Sequence, residues 1–258
     1  MQNLIPFGIC RKEIVGHCFA TIAIHSLDMN IAILVCRDKV SFAHIRKCTT
    51  QYGEHFFHCG ITEVHVCPTV LLEFFYRLPV LETEDLVLRR PSRKDAKDIF
   101  RYASDPEVAR YVLWEPHHSV SETRLYVREL RSRLRAGCPS SWVAVHRETG
   151  TVIGTIGFMW YSTENRSAEL GYSFSREYWN HGYATQALKA VTDAVFRSLP
   201  LNRLEAQHDV RNPASGRVMQ KSGYRQEGIL RSRIMNKGEY VDVALYAILR
   251  SDWEAAQR

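Results

Sequence analysis

Residues 169–190 read ELGYSFSREYWNHGYATQALKA, and the rest of the chain is interpreted outward from them. A short apolar segment, residues 170–174, runs into a turn-rich linker, residues 175–181, and then into Gly182-Tyr183-Ala184-Thr185 at the head of an amphipathic helix. Ala187, Leu188, Val191 and Val195 fall on one helical face, and Pro200 ends the run. At such a helix start the first N–H groups lack carbonyl partners, and the positive end of the helix dipole points the same way. Strand, small-residue turn and helix start together compose an anion cradle suited to a diphosphate. Gly182 lets the backbone approach a ligand closely and Ala184 keeps the helix mouth open. Taken alone, Gly182 is equally a residue that relieves crowding in a turn.

The flanking sequence supplies a consistent alternation from residue 81 onward. Leu86-Val87-Leu88 reads as a strand bounded by Pro91, and Ser92 caps a helix running to about Ala103. A second helix is predicted over 121–135, with Gly137 just past its end. Strands follow at 142–146 and 152–160, joined by the turn Glu148-Thr149-Gly150; Gly154 and Gly157 mark a bulge or a close backbone contact. Beyond the central helix come a strand at 203–208 and a helix opened by Asn212-Pro213 and stopped at Gly223. Two strands, 224–231 and 240–249, then flank the turn Asn236-Lys237-Gly238. The pattern is an α+β sheet domain without internal repeats.

Composition sets the outer limits. Hydrophobic residues make up 45% and charged residues 24% of the 258, an ordinary balance for a globular enzyme. No apolar run reaches the roughly 18 residues of a membrane span, and the first residues lack the order of a secretory signal. These features predict a cytoplasmic protein without membrane partners. The net charge of +6 is dispersed, and Arg128, Arg131 and Arg135 recur at helical spacing, so a solvated helix face is favoured over a nucleic-acid surface.

Four ordered stretches carry a family resemblance. They are 81–89 (LETEDLVLR), 168–188 (AELGYSFSREYWNHGYATQAL), Arg211-Asn212-Pro213-Ala214-Ser215 with Lys221-Ser222-Gly223-Tyr224, and 238–246 (GEYVDVALY). Over residues 80–250 the chain resembles the GNAT superfamily of acetyl-CoA-dependent N-acetyltransferases, in its RimJ/RimL-like branch of ribosomal-protein acetyltransferases. The resemblance implies a GNAT-type mixed, mostly antiparallel central sheet flanked by helices, over residues 80–254. It also implies acetyl-CoA as co-substrate, no metal, and direct transfer of acetyl to a primary amine. A protein N-terminus, ribosomal or other, is the favoured acceptor; a polyamine, amino sugar or amino acid is the alternative, and a non-catalytic acyl-CoA sensor the competing class. A homodimer is compatible with the family.

By the resemblance, main-chain N–H groups of Asn180, His181, Gly182, Tyr183, Ala184 and Thr185 hold the pyrophosphate. The strand ending Tyr172-Ser173-Phe174 pairs with the pantetheine arm, with an N–H near Tyr172 or Ser173 polarising the thioester carbonyl. Asn212 contacts the same arm, and Ser215 lies near the sulfur and protonates the departing thiolate. The plainer roles are a helix cap for Asn212 and cap support for Ser215. Trp179 stands where the superfamily's cofactor motif usually has Gln or Arg, a departure that leaves a main-chain cradle intact. Glu169 is the best-placed general base. A structural ion pair, with Arg166 for example, is its plainer role, and His208 and Asp209 are outside candidates. Tyr246 reads as a buried aromatic. The Arg231–Ile234 stretch, where RimL-like enzymes place a base, contains no Glu.

Residues 1–79 differ in kind. Six of seven cysteines and six of eleven histidines lie there. His55, His58, Cys59, His65 and Cys67 form the densest cluster, yet no C-x2-C pair occurs, which argues against structural zinc. Residues 31–35 and 70–75 read as strands or helix fragments. The segment is left without a fold, and translation from a valine codon at Val80 is the further expectation.

Overall fold

The computed structural model describes residues 20–21, 35–36 and 68–258, with side chains from residue 70. The Cys/His cluster at 55–67, the piece at 31–34 and the question of initiation at Val80 lie outside the described residues or beyond what they address. In the N-terminal unit, β1 (Ala20–Thr21) pairs antiparallel with β2 (Val35–Cys36).

The second unit is built on eight strands. β3 (Leu81–Glu82), β4 (Leu86–Arg89), β5 (Ser141–His146), β6 (Val152–Ser162), β7 (Ser167–Phe174), β8 (Arg203–Asp209), β10 (Glu239–Leu249) and β9 (Arg225–Asn236) lie in that spatial order. Every neighbouring pair is antiparallel except β7 and β8, so the mixed, mostly antiparallel sheet is as expected. Helix α5 (Tyr183–Ser198) makes the crossover between the two parallel strands, as parallel pairing requires.

Two apolar layers cover the sheet. On one face α5 and α6 (Pro213–Lys221) pack Ala187, Leu188, Val191, Val195 and Met219 against Ala168, Leu170, Leu204 and Ala206. On the other, α2 (Ala96–Ala103) and α4 (Val120–Arg135) pack Ile99, Tyr102 and Val127 against Val143 and Val152. A short helix α3 (Pro106–Ala109) lies between α2 and α4. The chain closes with α7 (Arg250–Ala255).

Several local expectations are refined. Ser92 caps a short 3-10 turn, Arg93–Asp95, that leads into α2. Helix α4 is capped by Ser119, not started at Ser121: its side chain accepts from Glu122 N at 3.2 Å while its backbone remains extended. Gly157 is a close-approach site, since a Cβ there would lie 2.4 Å from Ser141 Cα. Strand β9 continues to Asn236, beyond the expected end at residue 231.

The compositional boundary at residue 80 is not a packing boundary. Helix α1 (Pro68–Tyr76) and the residues after it place Leu71, Phe74, Phe75 and Leu78 in the main core. Phe75 and Phe158 meet edge to face at 4.9 Å, and Trp142 Nε1 donates to Pro79 O at 2.8 Å. The spacing 71, 74, 75, 78 is a helical stripe that the unusual composition of the preceding residues obscured. Each such side chain contributes about 1.5–3 kcal/mol when buried.

Candidate active site

Strands β7 and β8 are hydrogen-bonded through only three residue pairs, Ser167↔Arg203, Ala168↔Leu204 and Glu169↔Glu205. Beyond them the strands separate, while β7 stays paired to β6 as far as Gly154↔Phe174, and β8 to β10 as far as Val243↔Asp209. A wedge-shaped slot therefore opens through the middle of the sheet, with Leu170–Phe174 as one edge and Ala206–Asp209 as the other. The slot exposes β7 main-chain groups that no neighbouring strand satisfies, which is a template for an extended ligand.

At the wide end of the slot the chain turns into α5. Asn180 (φ 64°) and Gly182 (φ 85°) occupy the left-handed region, which Asn tolerates and Gly adopts freely. Gly182 caps the helix without a side-chain hydrogen bond, and Gln186 N is the first to reach back, to Gly182 O at 3.0 Å. The N–H groups of Tyr183, Ala184 and Thr185 thus have no acceptor within the helix. No acidic residue lies in the first turn, and a Cβ on Gly182 would meet nothing within 4 Å. An open, uncompensated positive helix end is what a diphosphate requires. His181 stacks on Tyr183 at 5.6 Å, and the Tyr183 hydroxyl lies 3.1 Å from His146 Nε2. Trp179, which departs from the usual Gln or Arg, is exposed and donates its indole N–H to Phe174 O at 2.8 Å, tying the turn back to the end of β7.

The two proposed catalytic side chains lie on opposite faces of the sheet. Tyr172 shares its face with Leu170 and the α5/α6 layer, and its hydroxyl is 3.0 Å from Ser215 Oγ and 3.1 Å from Ser215 O. Burial pushes the Tyr172 pKa well up, outweighing the hydrogen bond from Ser215, so the phenol stays protonated. With that proton directed to Ser215 O, the Ser215 hydroxyl donates to Tyr172 or to a ligand in the slot. Asn212 caps α6, its Oδ1 3.4 Å from Ser215 N, so its structural role is present.

Glu169 faces the α2/α4 layer. Farther along that face, beyond Gly171, Ser173 is in register with Thr155, which lies 3.4 Å from the Tyr102 hydroxyl of α2. Glu169 Oε2 accepts from Trp160 Nε1 at 2.5 Å and Oε1 from Gln207 Nε2 at 3.0 Å. No ion pair to Glu169 occurs among the described residues; Arg166 instead donates Nε to Pro200 O at 2.9 Å. Desolvation raises the Glu169 pKa, opposed by the bonds from Trp160 and Gln207. Trp160 and Gln207 were missed as its partners because each lies on a different strand, brought opposite only by register.

Of the two outside candidates, Asp209 is tied up by an ion pair, while His208 keeps its buried Nε2 without a partner among the described residues. Asp209 is gripped by Arg211 at 2.7 Å; burial raises its pKa, but the Arg211 bonds outweigh this and hold it below the ordinary carboxylate value. His208 Nδ1 lies 2.8 Å from Asp209 O, and its buried Nε2 packs where a Cβ on Gly216 would come within 2.7 Å. Tyr246 is buried and bonded to Gln220 and Gln226, as expected of a structural aromatic. No group of three or more potential metal ligands occurs among the described residues, and none of their helices is long and apolar enough to cross a membrane.

A sheet split at one parallel pair, with a bare helix start at its mouth, defines an acyl-transfer fold. The chain matches the Acetyltransferase (GNAT) domain over residues 85–225 and belongs to that family of acetyltransferases. It is 34% identical over 176 residues to the N-acetyltransferase p20 of Bacillus licheniformis, covering 68% of this chain and 99% of that protein. It is 33% identical over 96 residues to the ribosomal-protein-serine acetyltransferase of Escherichia coli, covering 37% of this chain and 54% of that one. The crystal structure of a GNAT-family acetyltransferase from Bacillus anthracis superposes with a TM-score of 0.60 at 29% identity, covering 67% of this chain and 99% of that chain. The RimJ/RimL-like resemblance is thereby supported, through distant relatives.

Proposed function

We propose that the slot between β7 and β8 binds acetyl-CoA and that the enzyme acetylates a protein N-terminal amine by direct attack. The observation that carries this reading is the three-residue β7–β8 pairing beside the bare start of α5. Acetyl-CoA supplies an activated acetyl group and a diphosphate. The N–H groups of residues 180–185 receive the diphosphate, and the free edge of Tyr172, Ser173 and Phe174 aligns the arm that carries the acetyl. Asn212 flanks the same arm.

Proton traffic follows from the two faces. On the α2/α4 face Glu169 takes a proton from the acceptor nitrogen, directly or through one water, as a carboxylate with a raised pKa is suited to do. On the α5/α6 face Ser215 gives its hydroxyl proton to the thiolate and is reprotonated from water, with the Tyr172 hydroxyl beside it holding its position. The nitrogen–carbon bond forms from one side of the slot as the carbon–sulfur bond breaks toward the other, and no covalent enzyme intermediate is needed. The distant kinship with a ribosomal-protein-serine acetyltransferase supports a protein acceptor.

Transfer from radiolabelled acetyl-CoA to a panel of peptides, set against polyamines, amino sugars and amino acids, tests the acceptor. Label on peptide α-amines is the expected result. Label confined to small amines overturns the protein acceptor, and CoA binding without turnover on any amine identifies a sensor.

A further inference from the structure

Residues 105–111 form a strap across the mouth of the slot. On the β7 side Arg176, just after that strand, holds Asp105 at 2.9 Å. On the β8/β10 side Lys237 Nζ, in the β9–β10 turn, donates to Ala109 O at 2.5 Å. The turn is fixed by left-handed residues, Lys237 (φ 50°) and Gly238 (φ 87°), so the strap rests on a rigid support. Helix α3 and the strap pack with α2 on the Glu169 face, the side from which an amine approaches.

Between strap and turn lies a cleft of about 250 Å³ lined by Arg110, Tyr111, Arg211, Asn236, Lys237 and Glu239. Arg110 and Arg211 both lie over the Tyr111 ring, at 5.2 and 5.9 Å from its centre. Arg211 is oriented by Asp209 and Glu239 and immediately precedes Asn212 at the slot. Among the described residues Arg110 pairs with no carboxylate but the exposed Glu107, at 3.4 Å, so its guanidinium is the least committed cation of the group. Asn236 is 5% exposed, and its buried Oδ1 has no hydrogen-bond partner among the described residues. Two guanidiniums over one tyrosine ring, the less committed of them exposed, form a receptor for a planar carboxylate.

We infer that this cleft holds a carboxylate of the acceptor, so that the preferred substrate is an amine carrying a carboxylate close to the reacting nitrogen. This rests on the acetyl-transfer reading above. The carboxylate is an acidic side chain next to a peptide N-terminus or the α-carboxylate of a free amino acid; the chemistry is the same, and the substrate panel separates the two. Arg110 supplies the fork for the carboxylate, Arg211 the second cation, and Tyr111 the surface that keeps both planes in place.

The test measures kcat/KM, by thiol release from acetyl-CoA, for matched pairs: peptides beginning Ala-Glu or Ala-Gln, and free alanine or alaninamide. The carboxylate member of at least one pair is expected to win by about tenfold, roughly 1.4 kcal/mol. The advantage should shrink to about twofold or less in Arg110→Gln, with acetyl-CoA affinity measured in parallel to show an intact fold. Equal rates within both pairs, or an advantage retained in Arg110→Gln, overturn the inference. If no amine is turned over, the acetyl-transfer reading fails instead, and the cleft is assayed with N-acetylalanine against N-acetylalaninamide and with the C-terminal amides of N-acetyl-Ala-Glu against N-acetyl-Ala-Gln. Selective binding of the carboxylate that Arg110→Gln removes then upholds the cleft, and its absence overturns it.

Discussion

The two sides of the slot are built by different means. The donor side is main chain: a left-handed turn, the first N–H groups of α5 and the unpaired edge of β7. The proposed acceptor side is side chain: Glu169 held by Trp160 and Gln207, and a cleft in which arginines from separate elements share one tyrosine. A common donor is served by backbone geometry, which tolerates exchange of most side chains. We propose that a particular acceptor is read by these side chains.

That contrast can be broken most severely at Gly182. Gly182→Glu places a carboxylate in the cradle at a φ of 85° that an L residue adopts poorly. Acetyl-CoA affinity should drop by more than about a hundredfold, roughly 2.7 kcal/mol; calorimetric titration showing near-normal binding would sink the cradle.

Next in size is Glu169→Gln, expected to lower turnover about a hundredfold with little change in acetyl-CoA affinity. Burial raises this carboxyl, so below its pKa the base is protonated and idle. The acid limb of kcat/KM should therefore lie above the ordinary carboxylate value of about 4.3 and fall as pH decreases through it. A parent pH profile without that limb, or one that Glu169→Gln leaves unchanged, removes Glu169 from the chemistry.

Ser215→Ala should cost about tenfold in kcat while acetyl-CoA affinity stays within about twofold. Tyr172→Phe, which removes the hydroxyl bonded to Ser215, should match it in direction. An unchanged kcat in both would leave Ser215 only its place in the cap.

The smallest effect on chemistry and the largest on stability should come from Phe75→Ala. It empties a site at the centre of the core and is expected to destabilise by about 3–5 kcal/mol. We propose accordingly that the folded enzyme begins N-terminal to residue 80, with α1 included. A fragment 80–258 as stable to heat as the full chain would refute this.

How much was legible in the sequence follows from the same division. The turn at Asn180–Gly182, the start of α5, and the Asn212 cap are local, and each is written in consecutive residues of restricted conformation. Glu169 is proposed from its place on the central strand, but its partners Trp160 and Gln207 depend on register across three strands. Tyr172 was expected to act through its main chain; the contact of its hydroxyl with Ser215 joins residues 43 positions apart and depends on where α6 lies in the fold. The strap was invisible, since its anchors, Arg176–Asp105 and Lys237–Ala109, join residues far apart in the chain. Helix α1 was misjudged for a different reason: its apolar stripe is clear, but the Cys- and His-rich residues before it drew the boundary twelve residues too late.

The central claim is that the slot between β7 and β8 is the acetyl-CoA site, and a crystal structure of the acetyl-CoA complex tests it most directly. The account predicts the diphosphate within hydrogen-bonding distance of the N–H groups at Tyr183–Thr185, with the acyl arm along Tyr172–Phe174 and the sulfur beside Ser215. An acetyl-CoA molecule bound outside the slot, with the N–H groups at the start of α5 untouched, would contradict it.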